Sequence, residues 1–167
     1  MKKLNFLKTI IDYLWIISII TYPLALFGSI LMVFDKDIFD IPIKFYGKEI
    51  ILDSLIHKVT FFITICSFSL IVFAIYNFRK LLKLLQEKKI FETETSSLFR
   101  KIGQLIIYFS FLDIIVETVL NLSKNNVIIN IGFGTFLSFL SLGLFFIVLS
   151  EVFKIGQKIK EQNELTI

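Results

Sequence analysis

Four stretches of this sequence are too long and too apolar to be hidden by anything a 167-residue chain can build around itself in water. A helix needs about 20 mostly apolar residues to cross the hydrocarbon of a bilayer. Ile10–Phe34, Leu55–Phe78, Ile102–Leu122 and Ile131–Phe153 each meet that length. Small soluble domains bury only part of their surface, yet here 56% of the residues are hydrophobic and Phe alone occurs 20 times. Lipid is the solvent that resolves this excess. The expected fold class is therefore all-α, a four-helix transmembrane bundle in which residues 1–167 form a single integral membrane domain.

Local signals fill in the connections. Lys2, Lys3 and Lys8 precede the first span and Asp12 sits at its edge. The apolar stretch is longer than the core of a secretory signal and no A-x-A site follows, so an uncleaved first helix is expected. Pro23 lies inside it, removes one backbone hydrogen bond and favours a kink. Residues 35–54 carry two short apolar runs around Gly47-Lys48, the pattern of a small hairpin between the first two spans. Residues 79–101 form a basic loop in which Leu81, Leu82, Leu84 and Leu85 recur at helical spacing, an extension of the second helix along the headgroups. The run ETETSS then offers N-cap residues for a helix leading into the third span. Residues 123–130 read as a short turn and residues 154–167 as a tail.

Lys and Arg flanking the spans set orientation. Thirteen lie at the N-terminus, in the 79–101 loop or in the tail, against five on the other side, Lys36, Lys44, Lys48, Lys58 and Lys124. Both termini and the central loop are thus expected in the cytoplasm, with the hairpin and the SKNN turn outside. The net charge of +4 is read as this topology signal rather than as a nucleic-acid surface.

Ionisable groups inside a membrane are costly and call for an explanation. The third span holds Asp113 and Glu117, whose spacing of four puts both carboxylates on one helix face. Such a pair could bind a cation, relay protons or recognise a basic ligand. Alternatively it pairs with polar groups on neighbouring helices and holds the bundle together, with His57 and Lys58 of the second span at a suitable depth for Glu117. Thr60, Thr64, Ser67, Ser69 and Ser110 are expected to hydrogen-bond between helices. Gly132, Gly134, Ser138, Ser141 and Gly143 of the fourth span are expected to permit close helix approach, and Glu151 to reach headgroups or the basic loop.

Chemistry-bearing motifs are sparse. There is no HExxH, GxSxG, P-loop or EF-hand signature. Cys66 is the single cysteine and His57 the single histidine, so no metal cluster and no Ser–His–acid set is expected. An enzyme and a cofactor are accordingly not expected. The acidic set Asp35, Asp37 and Asp40 could hold a cation at an outer site, but a solvated loop is the better reading.

The C-terminal stretch LGLFFIVLSEVFKIGQKIKEQNELTI resembles the end of a family of bacterial membrane proteins, domain of unknown function 2975. The resemblance rests on Glu151, Val152, Phe153, Gly156, Glu161, Asn163, Glu164, Leu165, Thr166 and Ile167, with Glu164 standing where Asp is more usual. The segment KKIFETETSSLFRKIG is similar to the family's linker, a basic stretch, a Phe and then a capped helix. The resemblance implies four spans and about this length. It also implies a gene often lying beside a small helix-turn-helix regulator, and no established enzymatic activity.

The function expected from these readings is that of a non-enzymatic interaction or signalling partner. Its cytoplasmic loop 79–101 and tail 154–167 would meet another protein, such as a helix-turn-helix regulator. The alternative is a small transporter or ion-coupled protein using Asp113 and Glu117. Partners expected in either case are the lipid bilayer, with no direct nucleic-acid contact, and optionally further copies of the chain.

Overall fold

A computed structural model describes residues 2–34, 43–45, 48–50, 55–122 and 133–164. Helix α1 spans Lys2–Phe34, α2 Leu55–Gln86, α3 Thr93–Leu122 and α4 Phe133–Glu164. Between α1 and α2, strands β1 (Ile43–Phe45) and β2 (Lys48–Ile50) pair antiparallel, with Ile43 opposite Ile50 and Lys44 opposite Glu49. All four helices are long and apolar enough to cross a bilayer. The chain is thus an all-α, multi-pass membrane protein carrying a small β-hairpin.

The helices outrun the apolar stretches because their polar extensions retain helical spacing and caps. α1 begins at Lys2 rather than Ile10 and continues through Pro23. α2 carries on through the Leu81–Leu85 segment and stops in a tight C-cap. There Lys88 takes a left-handed conformation with φ of 60°, its N–H reaches the Leu85 carbonyl (3.2 Å), and the Lys89 N–H reaches the Leu84 carbonyl (3.0 Å). This is the Schellman arrangement that satisfies the last helix carbonyls. α3 then opens within ETETSS. The Glu92 carbonyl accepts from the Thr95 and Ser96 N–H groups, and the Thr95 hydroxyl donates to the Lys89 carbonyl at 2.7 Å. Glu94 in the first turn suits the positive end of the helix dipole.

Two ends of the molecule follow from this connectivity. At the turn end lie the start of α1, the α2–α3 turn and the last turns of α4. At the hairpin end lie the β-hairpin and the start of α4.

Each helix packs on its neighbour in sequence, α1 on α2, α2 on α3 and α3 on α4. The core is made by α2, α3 and α4 without α1, from Ala74, Leu81, Leu84, Leu98, Phe99, Ile102 and Ile106, with Phe78, Phe146 and Phe153 against it. In the most apolar window of α3, 39% of residues are buried, against 6% for α1, so α3 is the central helix and α1 an outrigger. The large apolar residues left on the surface, such as Ile20 at 66% and Leu24 at 71% exposed on α1, would be untenable in water but suit lipid.

Candidate functional site

The intramembrane polar residues gather toward the hairpin end. Phe68 of α2 and Phe109 of α3 meet with ring centroids 5.4 Å apart. The two helices run antiparallel, so one turn toward the hairpin end brings Thr64 level with Asp113, and the next brings Thr60 level with Glu117. Side chains one turn apart share a helix face. His57, Thr60, Thr64 and Ser67 therefore form one buried face of α2, with Ser110 and Asp113 buried on α3. Asp113 is only 3% exposed, Glu117 and Lys58 are half-buried, and each of His57, Lys58, Asp113 and Glu117 is engaged in a non-covalent interaction.

The hydroxyls of this seam do not donate across helices as expected. Thr60 donates to the Ile56 carbonyl (2.7 Å), Thr64 to Thr60 (2.9 Å), Ser67 to Thr64 (2.8 Å) and Ser110 to Ile107 (2.8 Å). The carbonyl one turn back is always within reach of a short hydroxyl side chain, and in the absence of water it captures the proton. A hydroxyl that donates in this way still has lone pairs with which to accept. Among the described residues no group of three or more His, Cys, Asp and Glu side chains is placed to hold a metal ion.

The small residues of the fourth span divide. Gly143 permits close approach as expected, because a methyl group there would stand 2.9 Å from the Gly103 carbonyl oxygen. Gly134 borders open space, and Ser138 and Ser141 are exposed. Gly132 lies outside the described residues, as do Asp35, Asp37, Asp40 and the turn 123–130.

The turn end holds contacts that sequence spacing does not announce. Asp12 of α1 accepts from the Arg79 guanidinium of α2, Gln86 donates to the Asn5 side chain (2.8 Å), and Trp15 lies against Tyr76 with centroids 5.1 Å apart. α3 and α4 are joined by Ser150 donating to the Ser96 carbonyl (2.8 Å) and by Gln157 donating to Thr93 (3.1 Å), while Gln157 also donates within α4 to Glu161 (2.8 Å). The charges at Asp12 and Arg79 were visible in the sequence, but no local signal pairs residues 67 positions apart. Glu151 is exposed at this end.

An apolar groove opens here beside α4. It has a volume of about 480 Å³ and is bounded by Phe91, Gly156, Ile159, Lys160, Asn163 and Glu164. A second hollow of about 340 Å³ adjoins it through Phe91, Lys160 and Glu164 and adds Glu92, Glu94 and Glu161 to the walls. Phe91 lies flat enough on α4 that a methyl group on Gly156 would stand 2.5 Å from its ring. The ring also meets Phe153, which stacks on Phe99 at 4.7 Å.

A family profile described as Protein of unknown function (DUF2975) matches residues 5–167. The chain belongs to this family. No curated protein and no solved structure matches it. Of the tail motif by which the sequence resembles DUF2975, Glu151, Gly156, Glu161, Asn163 and Glu164 lie on α4 at the turn end, whereas Leu165, Thr166 and Ile167 fall outside the described residues. The linker Phe of the DUF2975 pattern, Phe91, and the tail glycine, Gly156, are the two residues in contact across the groove.

Proposed function

We propose that the protein is a non-enzymatic interaction or signalling partner in the bacterial cell membrane. Its termini and α2–α3 turn face the cytoplasm, and the turn end meets a cytoplasmic protein, such as a small helix-turn-helix regulator. The observation that carries this reading is the construction of that end. α3 begins well before its apolar stretch and α4 continues well past its own, and the two are tied into one platform by Ser150–Ser96, Gln157–Thr93 and the Phe91–Gly156 contact. Rigid, charged helix ends of this kind present a surface at low entropic cost to binding. The excess of Lys and Arg near them supports the cytoplasmic orientation.

Deleting residues 161–167 tests it. Capture of the partner encoded by a neighbouring gene should fall in a pull-down while membrane insertion stays intact. Unchanged capture would count against the proposal.

The burial of Asp113 within a hydroxyl-lined seam favours a second reading, in which Asp113 and Glu117 couple to a cation or proton. Under that reading Asp113→Asn with Glu117→Gln abolishes flux in proteoliposomes. If the double variant changes thermal stability alone, the seam is purely structural.

A further inference from the structure

We propose that the acid-rimmed groove between Phe91 and the Gly156–Ile159 face of α4 seats the first turns of α1, Lys2–Lys8, from a second copy of the chain. This goes beyond the partner reading above and does not rest on it.

The groove needs a cover that lipid tails do not supply. Phe91 and Ile159 are 43% and 53% exposed. Ile159 lies five residues beyond Lys154, about 7–8 Å further along α4 at 1.5 Å per residue, past the point where the helix leaves its apolar stretch. The walls also select what fits. The groove and the adjoining hollow together carry the four carboxylates Glu92, Glu94, Glu161 and Glu164, an excess of acid even with Lys160 paired to Glu164 at 3.7 Å and Lys89 acting on Glu92 and Glu94. An anionic headgroup is repelled by that rim, while an apolar anchor flanked by cations matches it.

The start of α1 has this character. Lys2 and Lys3 are exposed, and one turn on stand Phe6, at 70% exposed, and Leu7, at 40%. Phe6 lies six residues, about 9 Å, beyond Asp12, again past the apolar stretch. Groove and segment also share a level. Asn5 is hydrogen-bonded to Gln86, the last residue of α2, one short turn from Phe91. Both stand on the same side of the bilayer, which confines encounters to lateral ones, and α1 packs to any extent only on α2. Two copies meeting side by side can therefore bring Phe6 of one over Phe91 and Ile159 of the other, with Lys2 and Lys3 against the carboxylates.

The test uses two differently tagged full-length copies, both Cys66→Ser, one carrying Phe6→Cys and the other Ile159→Cys, co-expressed and oxidised in native membranes. A cross-link between the two tags is expected, in clear excess over links between like tags. Adding Lys2→Glu and Lys3→Glu to the first copy should lower its yield at least fivefold, and Glu161→Lys with Glu164→Lys on the other should restore it. Retention of all variants in the membrane fraction with unchanged thermal stability excludes misfolding as the cause. Absence of the mixed cross-link, or a yield indifferent to charge reversal, overturns the proposal. So does a cross-link that appears only after residues 165–167 are deleted, which would assign the groove to the chain's own tail.

Discussion

Gly103 of α3 and Gly143 of α4 face each other so closely that a methyl group on Gly103 would stand 2.6 Å from the Gly143 carbonyl oxygen. Each methyl group would meet an isoleucine side chain, Ile147 or Ile107, and also a backbone carbonyl, which has no rotamer by which to yield. In lipid, helices associate through such close packing rather than through hydrophobic exclusion from water. Gly103→Ala or Gly143→Ala therefore forces α3 and α4 apart. The expected loss is about 1–3 kcal/mol, as for other overpacked contacts, and it outweighs the roughly 1 kcal/mol by which Ala favours a helix over Gly. Thermal denaturation in mild detergent should show a lower midpoint for either variant; a midpoint at or above that of the parent refutes the close-packing account.

Gly156 offers a contrast. Its added methyl group would meet the ring of Phe91 at 2.5 Å, a half-exposed side chain in a turn that can swing aside. Gly156→Ala is expected to shift stability by less than about 1 kcal/mol, well below the cost at Gly103. Equal losses at the two positions in the same denaturation assay would show that Phe91 is held more rigidly than its exposure indicates.

Lys88 holds a left-handed backbone, φ 60°, to close the C-cap of α2. A β-carbon there costs roughly 1 kcal/mol, which glycine escapes at some expense in unfolded-state entropy. Lys88→Gly should stabilise the protein by about 0.5 kcal/mol and Lys88→Val should destabilise it. The ordering of the three midpoints is the readout.

Asp12 and Arg79 are the ion pair that fixes α1 to α2 at the turn end. Their side chains are 32% and 43% exposed, so solvent screens the attraction. A double-mutant cycle with Asp12→Asn and Arg79→Gln should give a coupling of about 0.5–1 kcal/mol. Cysteines placed in α1 and α2 would cross-link less readily in either single variant. A coupling near zero would mean that the Trp15–Tyr76 contact, rather than charge, sets the register.

In the α2–α3 turn, Lys89 lies 3.0 Å from the Glu87 carboxylate. The hydrogen bond to Lys89 and its charge hold the Glu87 carboxyl below its ordinary value, and the hydrogen bond to Glu87 raises Lys89 above its own. The Glu87 contribution is present above the unfolded carboxyl value and disappears as pH falls through the lowered one. The Lys89 contribution is present below the unfolded amine value and disappears as pH rises through the raised one. A carbon-detected NMR titration of Glu87 should show a depressed midpoint that returns toward that of free glutamate in Lys89→Ala; an unchanged midpoint would exclude the pairing in solution.

Hydropathy alone decided that four segments meet lipid, because a run of about 20 apolar residues has no alternative solvent of sufficient extent. Turn chemistry around Gly47 indicated the hairpin, and ETETSS marked the start of α3, since both depend on residues a few positions apart. That Asp113 and Glu117 share one face of α3 could likewise be read from their spacing of four. Other features were out of reach of local pattern. The donation of Thr60, Thr64 and Ser67 into their own helix depends on whether a competing partner stands opposite. The exclusion of α1 from the core, the Gly103–Gly143 crossing, the Asp12–Arg79 pair and the groove under Phe91 each join residues far apart in the chain. Composition selects the solvent a segment prefers. Only the three-dimensional packing selects which helix faces which, because that choice is made by shape and charge between surfaces that do not exist until the helices have formed.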